Sequence, residues 1–369
     1  MTGEEHCKRR LYEAALEADL ILVEGVMGMF DGNPSGADMA EFFGIPVAIV
    51  ISARSMAQTF GALATGLATF RPSLSVAGVI ANHLGGDRHK DLVVNSIPDD
   101  VSLLGCIPSS PKMALPERHL GLVHPHEVDD MDQRLDQLAR LMDDSGLTRL
   151  PEPVEFSAGE HFPAPALLKG VRIAIAKDDA FTFVYADNVN LLQNMGASIH
   201  WFSPLTDESI PECDAIWLPG GYPELHHQQL ANNKAMQQAL QAFSQSGKRI
   251  LAECGGMLYL MQSLTDVEGN RSPMMGLLAG DGIMRDRGGC QGMQYALMPE
   301  GELRAHAHHR TRCENTAEPI GYGRRTRHPA PGEPIYRKGG ITASYLHLYF
   351  PSNPKAIAQL LTPIEQNLE

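Results

Sequence analysis

The sequence is poor in several things at once. Six of its 369 residues are cysteine (Cys7, Cys106, Cys213, Cys254, Cys290 and Cys313) and none stands in a C-x-x-C pair. Neither a disulfide framework nor a zinc ribbon nor a redox dithiol is expected, and a reducing cytoplasmic setting is. Basic residues number 30 against 44 acidic, a formal charge of −14, and a chain this acidic repels a phosphate backbone, which argues against nucleic acid as a partner. No apolar run is long enough to cross a membrane, and Glu13, Glu17 and Asp19 break the only stretch near Met1 that could form a signal-peptide core. Internal repeats and low-complexity tracts are also missing. What is present is 43% apolar and 20% charged, a globular composition at a length that suggests two domains.

Both halves alternate short apolar β runs with helical patterns. In residues 1–150 strands are expected at 20–24, 46–51, 76–81 and 101–107, with helices at 54–70, 88–97 and 128–144. Val/Ile/Leu runs separated by helices are the signature of a parallel sheet covered on both faces. Residues 151–169 read as a linker, since Pro151, Pro153, Pro163 and Pro165 prevent helix. Residues 170–369 resume the alternation, with strands at 171–176, 198–202, 215–218 and 249–252, helices at 185–195, 234–246 and 257–264, and a β run at 341–350. The fold class is α/β, in two domains.

Cys254 is the most informative single residue. It follows Ile250-Leu251-Ala252 and precedes Gly255-Gly256 and a helical run. Small residues on both sides fit a nucleophile elbow, where the chain must reverse sharply from strand to helix. A thiol over a helix start is expected to be drawn towards thiolate, to alkylate ahead of the other five, and to have backbone N–H groups beside it for an oxyanion. His347, a polar residue in the run Thr342–Phe350, is a candidate base, and Gly220-Gly221 after strand 215–218 is a candidate second oxyanion element. Bland readings compete: a buried structural thiol, a hydrogen-bonded core histidine, an ordinary turn. The cluster His306-Ala307-His308-His309 invites a metal reading, but alternation puts His306 and His308 on one face and His309 on the other, and no Cys or carboxylate stands at ligand spacing. Zinc is not expected.

The segments Leu218-Pro219-Gly220-Gly221-Tyr222-Pro223-Glu224, Ala252-Glu253-Cys254-Gly255-Gly256-Met257-Leu258-Tyr259-Leu260 and Ala343-Ser344-Tyr345-Leu346-His347 together resemble the glutamine amidotransferase domain of the cobyrinate (or hydrogenobyrinate) a,c-diamide synthase family. Residues 22–32 and 115–122 resemble that family's synthetase-domain signatures. The resemblance spans essentially the whole chain. It implies a P-loop, dethiobiotin-synthetase-like domain over 1–150 and a class I, flavodoxin-like amidotransferase domain over 170–369. It implies an ATP- and Mg2+-dependent ligase of cobalamin biosynthesis that hydrolyses glutamine and amidates two acetate carboxylates of a corrin. In those terms Cys254 is the nucleophile and His347 its base and acid, with Gly221 and Gly255 as oxyanion donors. Glu24 would hold Mg2+, Asn82 would contact adenine, and Arg118 and His119 would face corrin carboxylates. Tyr349 occupies the place of a triad carboxylate, which implies a Cys–His dyad. A homodimer is left open.

One departure is large. No G-x-x-x-x-G-K-[ST] loop occurs anywhere in the sequence, so the chain is expected to be an N-terminally truncated member, or one whose missing part is supplied separately, that does not by itself bind ATP normally or complete amidation. A smaller one is Ala305 in the stretch Arg304–His309, where the family more often has glycine. The alternatives to the ligase reading are a stand-alone cysteine hydrolase or glutaminase, and a truncated relative that only binds a partner.

Overall fold

The structure, a computed structural model, describes residues 1–118, 121–123, 125–145, 150–159, 164–286 and 289–362. Two compact units are present: Glu4–His161, and Phe162–Glu369 together with Met1–Gly3.

In the first unit, strands Val47–Ser52, Val76–Leu84 and Leu103–Pro108 form a parallel sheet with Val76–Leu84 in the middle. Ile49, Ile51, Val79, Ala81 and Leu84 pack with Phe60 of helix Thr59–Thr69 and Val93 of helix Asp87–Val94. Helix Gly36–Phe43 starts on a capping box, Ser35 and Asp38 each accepting the other's backbone N–H. The expected helices at 54–70, 88–97 and 128–144 are shorter here: Thr59–Thr69, Asp87–Val94 and Met131–Asp144. Gly66 lies inside Thr59–Thr69, where an added Cβ would meet nothing within 4 Å. Gly66→Ala should therefore stabilise this unit by about 0.5–1 kcal/mol; a lower denaturation midpoint for the variant would contradict that packing.

The strand expected at 20–24 does not form. The segment is irregular, with Leu22 86% and Val23 62% exposed. A parallel strand exists only where a neighbour takes its backbone N–H and C=O groups, and among the described residues no strand pairs with this segment.

The second unit is built on a ten-stranded sheet. Ile341–Ser344, Arg249–Glu253, Ala215–Leu218, Arg172–Ala176 and Ser198–Phe202 lie side by side in that order and all run parallel. Beyond Ile341–Ser344 the sheet continues antiparallel through Pro331–Lys338, Gly321–Arg325, Cys290–Met298 and Gly301–His309, and ends at His347–Leu348. Only Tyr345 and Leu346 separate Ile341–Ser344 from His347–Leu348, although four strands lie between them in the ladder. Two residues reach roughly 10 Å, whereas five strand spacings of a flat sheet cover roughly 24 Å. The antiparallel part must curl, bringing its edge back to the ends of the parallel strands.

Two sequence expectations are corrected here. The β run at 341–350 is broken at Tyr345-Leu346 by this crossing. The helix expected at 257–264 is Gly255–Leu260, because Met261 is extended (φ −71°, ψ −178°) and Ser263–Thr265 joins a separate four-stranded sheet.

Candidate active site

Three neighbouring parallel strands deliver the site. Leu218 is paired with Ala252, and Ser344 with Glu253, so the loops leaving Ala215–Leu218, Arg249–Glu253 and Ile341–Ser344 emerge together at the carboxyl end of the sheet, where α/β folds present their chemistry. Those loops carry Gly220-Gly221, Cys254 and His347.

Cys254 adopts φ +46°, ψ −106°, a conformation that L residues rarely take and that functional turns impose. Its N–H donates to the Ser344 carbonyl at 2.8 Å, and its carbonyl accepts from Leu258, so the elbow is tied on both sides. Gly256 completes it: a Cβ there would lie 2.2 Å from the Leu218 carbonyl oxygen. The nucleophile and base expected from sequence are brought together around Gly220. A Cβ on Gly220 would lie 2.3 Å from His347 Cε1, 3.0 Å from its Nδ1 and 3.3 Å from Cys254 Cβ. The pair of glycines named as oxyanion donors also meet. A Cβ on Gly255 would stand 3.0 Å from the Gly221 backbone nitrogen, and one on Gly221 would stand 2.1 Å from the Ala180 carbonyl oxygen.

The electrostatics differ from the sequence expectation. Cys254 is 5% exposed, and burial, helped by the nearby Glu224, Glu253 and Glu333 carboxylates, pushes its thiol well above the usual range despite the Gly255 N–H. Desolvation of the charged form outweighs the short helix that follows, so the resting group is a thiol and rapid alkylation is no longer expected. Burial likewise lowers His347, to about 3, with His306, His309 and His308 adding to the shift. The imidazole is neutral and ready to accept a proton.

Two residues that hold this strand were not singled out from the sequence. Glu253 is buried; its Oε1 accepts the Leu348 N–H at 2.9 Å and its Oε2 accepts the Trp217 indole N–H at 3.1 Å. Asn188, fully buried, donates to the Leu348 carbonyl and accepts from the Phe350 N–H, both at 2.8 Å. The backbone beside His347 is thus clamped from both sides. Tyr349, in the triad-carboxylate position, donates to Asp187 at 3.0 Å instead.

Burial lifts the Glu253 carboxyl from 4.5 to about 8, against the pull of its two N–H donors. Between those values the folded chain keeps a proton that the unfolded chain releases, so this residue makes stability fall as pH rises from about 4.5 to about 8. Glu253→Gln should remove that slope. Its amide NH2 also faces one of the two N–H donors, which costs about 1–3 kcal/mol. Thermal melts of both proteins across this pH window check the prediction, and an unchanged slope in the variant would refute it.

The remaining sequence candidates belong to the first unit. Glu24 is exposed on the irregular segment. Asn82, inside the central strand Val76–Leu84 of the first unit, is half-buried and its Oδ1 accepts the N–H of His83 at 2.8 Å. Arg118 is in the two-residue strand Glu117–Arg118, and His119 lies outside the described residues.

Comparison with known proteins places the chain among relatives. Residues 172–355 match the model of the CobB/CobQ-like glutamine amidotransferase domain. The chain is 48% identical to the hydrogenobyrinate a,c-diamide synthase of Stutzerimonas stutzeri, over 98% of this chain and 84% of that protein. It is 47% identical to the enzyme of the same name from Pseudomonas aeruginosa, over 98% and 83%. To the cobyrinate a,c-diamide synthase of Herminiimonas arsenicoxydans it is 43% identical, again over 98% and 83%.

Proposed function

The chain belongs to the cobyrinate/hydrogenobyrinate a,c-diamide synthase family, and on that premise we propose that it amidates the a and c acetate side chains of cobyrinate or hydrogenobyrinate with ammonia taken from glutamine, as an ATP-dependent ligase of cobalamin biosynthesis. We assign residues 170–369 to the amidotransferase domain, 151–169 to the linker and 1–150 to the synthetase domain. The convergence of Cys254 and His347 on Gly220, within a chain that matches diamide synthases over 98% of its length, carries the reading.

In the glutaminase step Cys254 Sγ attacks the glutamine amide carbon while its proton passes to His347. Because the thiol is raised and the imidazole neutral, the transfer accompanies attack instead of preceding it. The backbone N–H groups of Gly221 and Gly255 stabilise the oxyanion. Collapse breaks the C–N bond, and ammonia leaves with the proton returned by His347. Water then attacks the glutamyl thioester, gives a proton to His347 and releases glutamate, and the thiol is restored.

ATP activation of the corrin carboxylate belongs to the family reaction. Glu24 is exposed on an unpaired segment, and Asn82 spends its carbonyl oxygen on a neighbouring amide. These two residues do not by themselves make a cradle for ATP and Mg2+. Arg118 and His119 stay as our candidates for the corrin carboxylates.

The full chain, incubated with glutamine, ATP, Mg2+ and either corrin, should release glutamate and form the diamide, followed by mass spectrometry. Glutamate release with an unchanged corrin would leave a cysteine hydrolase in place of the ligase. Calorimetric titration of ATP–Mg2+ tests the nucleotide separately: the ligase reading requires binding, which would overturn the expectation drawn from the missing G-x-x-x-x-G-K-[ST] loop, whereas no binding would overturn the ligase reading for this chain.

A further inference from the structure

A thiol, an imidazole and a carboxylate meet beside this site, and the glutaminase chemistry uses none of them. Cys290 opens strand Cys290–Met298, directly across the ladder from His309 at the end of Gly301–His309. Glu333 comes from Pro331–Lys338, at the register shift where that strand meets Gly321–Arg325. One ligand atom from each of the three lies within 4.8 Å of the other two. No motif spacing announces the set, because curling of the antiparallel sheet assembles it.

The surroundings of His309 are what make the set unusual. Its Nδ1 is 3.1 Å from the Thr311 carbonyl oxygen. A carbonyl can only accept, so Nδ1 carries a hydrogen, and in the neutral form of the ring Nε2 keeps its lone pair. That Nε2 is buried without a hydrogen-bond partner, 3.2 Å from a Glu333 carboxylate oxygen. Two acceptors facing each other at that distance repel unless a cation or a further proton lies between them. The ring cannot turn aside, since it is stacked on Tyr345 at 3.7 Å and 7°. A backbone carbonyl on the far nitrogen is also how metal-binding histidines are oriented.

Gln294 braces the other two groups. Its Oε1 accepts the Glu333 N–H at 2.9 Å, and its Nε2 lies 3.5 Å from Cys290 Sγ, a donor suited to a thiolate. Room for it comes from glycines on the neighbouring strands: a Cβ on Gly332 would lie 1.9 Å from Oε1, and one on Gly323 2.5 Å away.

We propose that Cys290 Sγ, His309 Nε2 and the Glu333 carboxylate are three protein ligands of one divalent cation of the zinc class. The mixed S, N, O donor set suits zinc and disfavours Mg2+ and Ca2+, which take oxygen ligands. A 2+ ion with one thiolate and one carboxylate is a neutral unit, the form that burial tolerates. A tetrahedral zinc shell spaces its ligands at roughly 3.2–3.7 Å, and three atoms within 4.8 Å of one another reach that spacing by small side-chain adjustments. The fourth position takes water. The ion would tie together the strands that place the His308 carbonyl 4.0 Å from Cys254 Sγ. Its role is structural.

The test uses the untagged full chain, stripped with chelator and titrated with Zn2+ alone or Co2+ alone. Expected are one zinc per chain retained through gel filtration, and a thiolate-to-cobalt charge-transfer band that Cys290→Ser removes and Cys254→Ser keeps. Glu333→Gln should weaken Co2+ binding by at least about tenfold. In the unmutated chain, Zn2+ should lower iodoacetamide labelling of Cys290 by about tenfold and leave Cys7 unchanged, which needs no variant to fold. No retained metal, a band that follows Cys254, or labelling of Cys290 indifferent to Zn2+ would each overturn the site and leave a His309–Glu333 ion pair. None of these readouts depends on glutamine turnover or corrin.

Discussion

Replacing Cys254 with serine should lower glutamine hydrolysis by about 10^3-fold or more, since removing a nucleophile leaves only binding and oxyanion stabilisation. The exchange keeps the size and the elbow backbone, so the melting temperature should stay within about 2–4 °C, equivalent to roughly 1 kcal/mol at this chain length. Glutamate release and thermal melts measure the two effects. A second measurement separates chemistry from damage to the rest of the chain: added ammonium salt should support amidation by the variant as well as by the unmutated protein. Retained glutaminase activity in Cys254→Ser would sink the thioester route.

Gly220→Ala should be nearly as severe, although it removes no functional group. Its methyl would lie 2.3 Å from His347 Cε1, closer than a side chain accepts, and in tight contact, 3.3 Å, with Cys254 Cβ. The site is surrounded by fully buried residues such as Phe181, Leu346 and Leu218, and a close-packed interior relaxes only by displacing one of the two reacting groups. A misplacement of about 1 Å between nucleophile and base costs on the order of 10^2-fold. The fall should appear in kcat more than in KM, because the methyl separates the reacting groups and removes no contact to glutamine. A variant with normal turnover would show that Cys254 and His347 do not meet at this glycine.

How much of this was legible beforehand varies residue by residue. Cys254 could be read directly, because an apolar strand followed by Cys-Gly-Gly and a helical run is a local pattern, and the φ of +46° is the local consequence. His347 carried a weaker mark, a polar residue in an apolar β run, and the resemblance to a family raised it above the other histidines. Glu253 and Asn188 act on backbone 95 and 160 residues away, a separation at which spacing holds no information. Segment 20–24 shows the opposite failure. Its composition is that of a buried strand, but a strand is a property of a pair, and among the described residues the partner is missing.

Periodicity and composition were enough for the α/β class, for most of the helices and parallel strands, and for an elbow at Cys254, because each depends on contacts within a few residues or on an average over many. The meeting of His347 with Cys254, the raised thiol and the grouping of Cys290 with His309 and Glu333 required the folded sheet. They depend on curvature, which places groups far apart in the chain within a few ångströms, and on burial, which sets the cost of charge only once the surrounding side chains are in place.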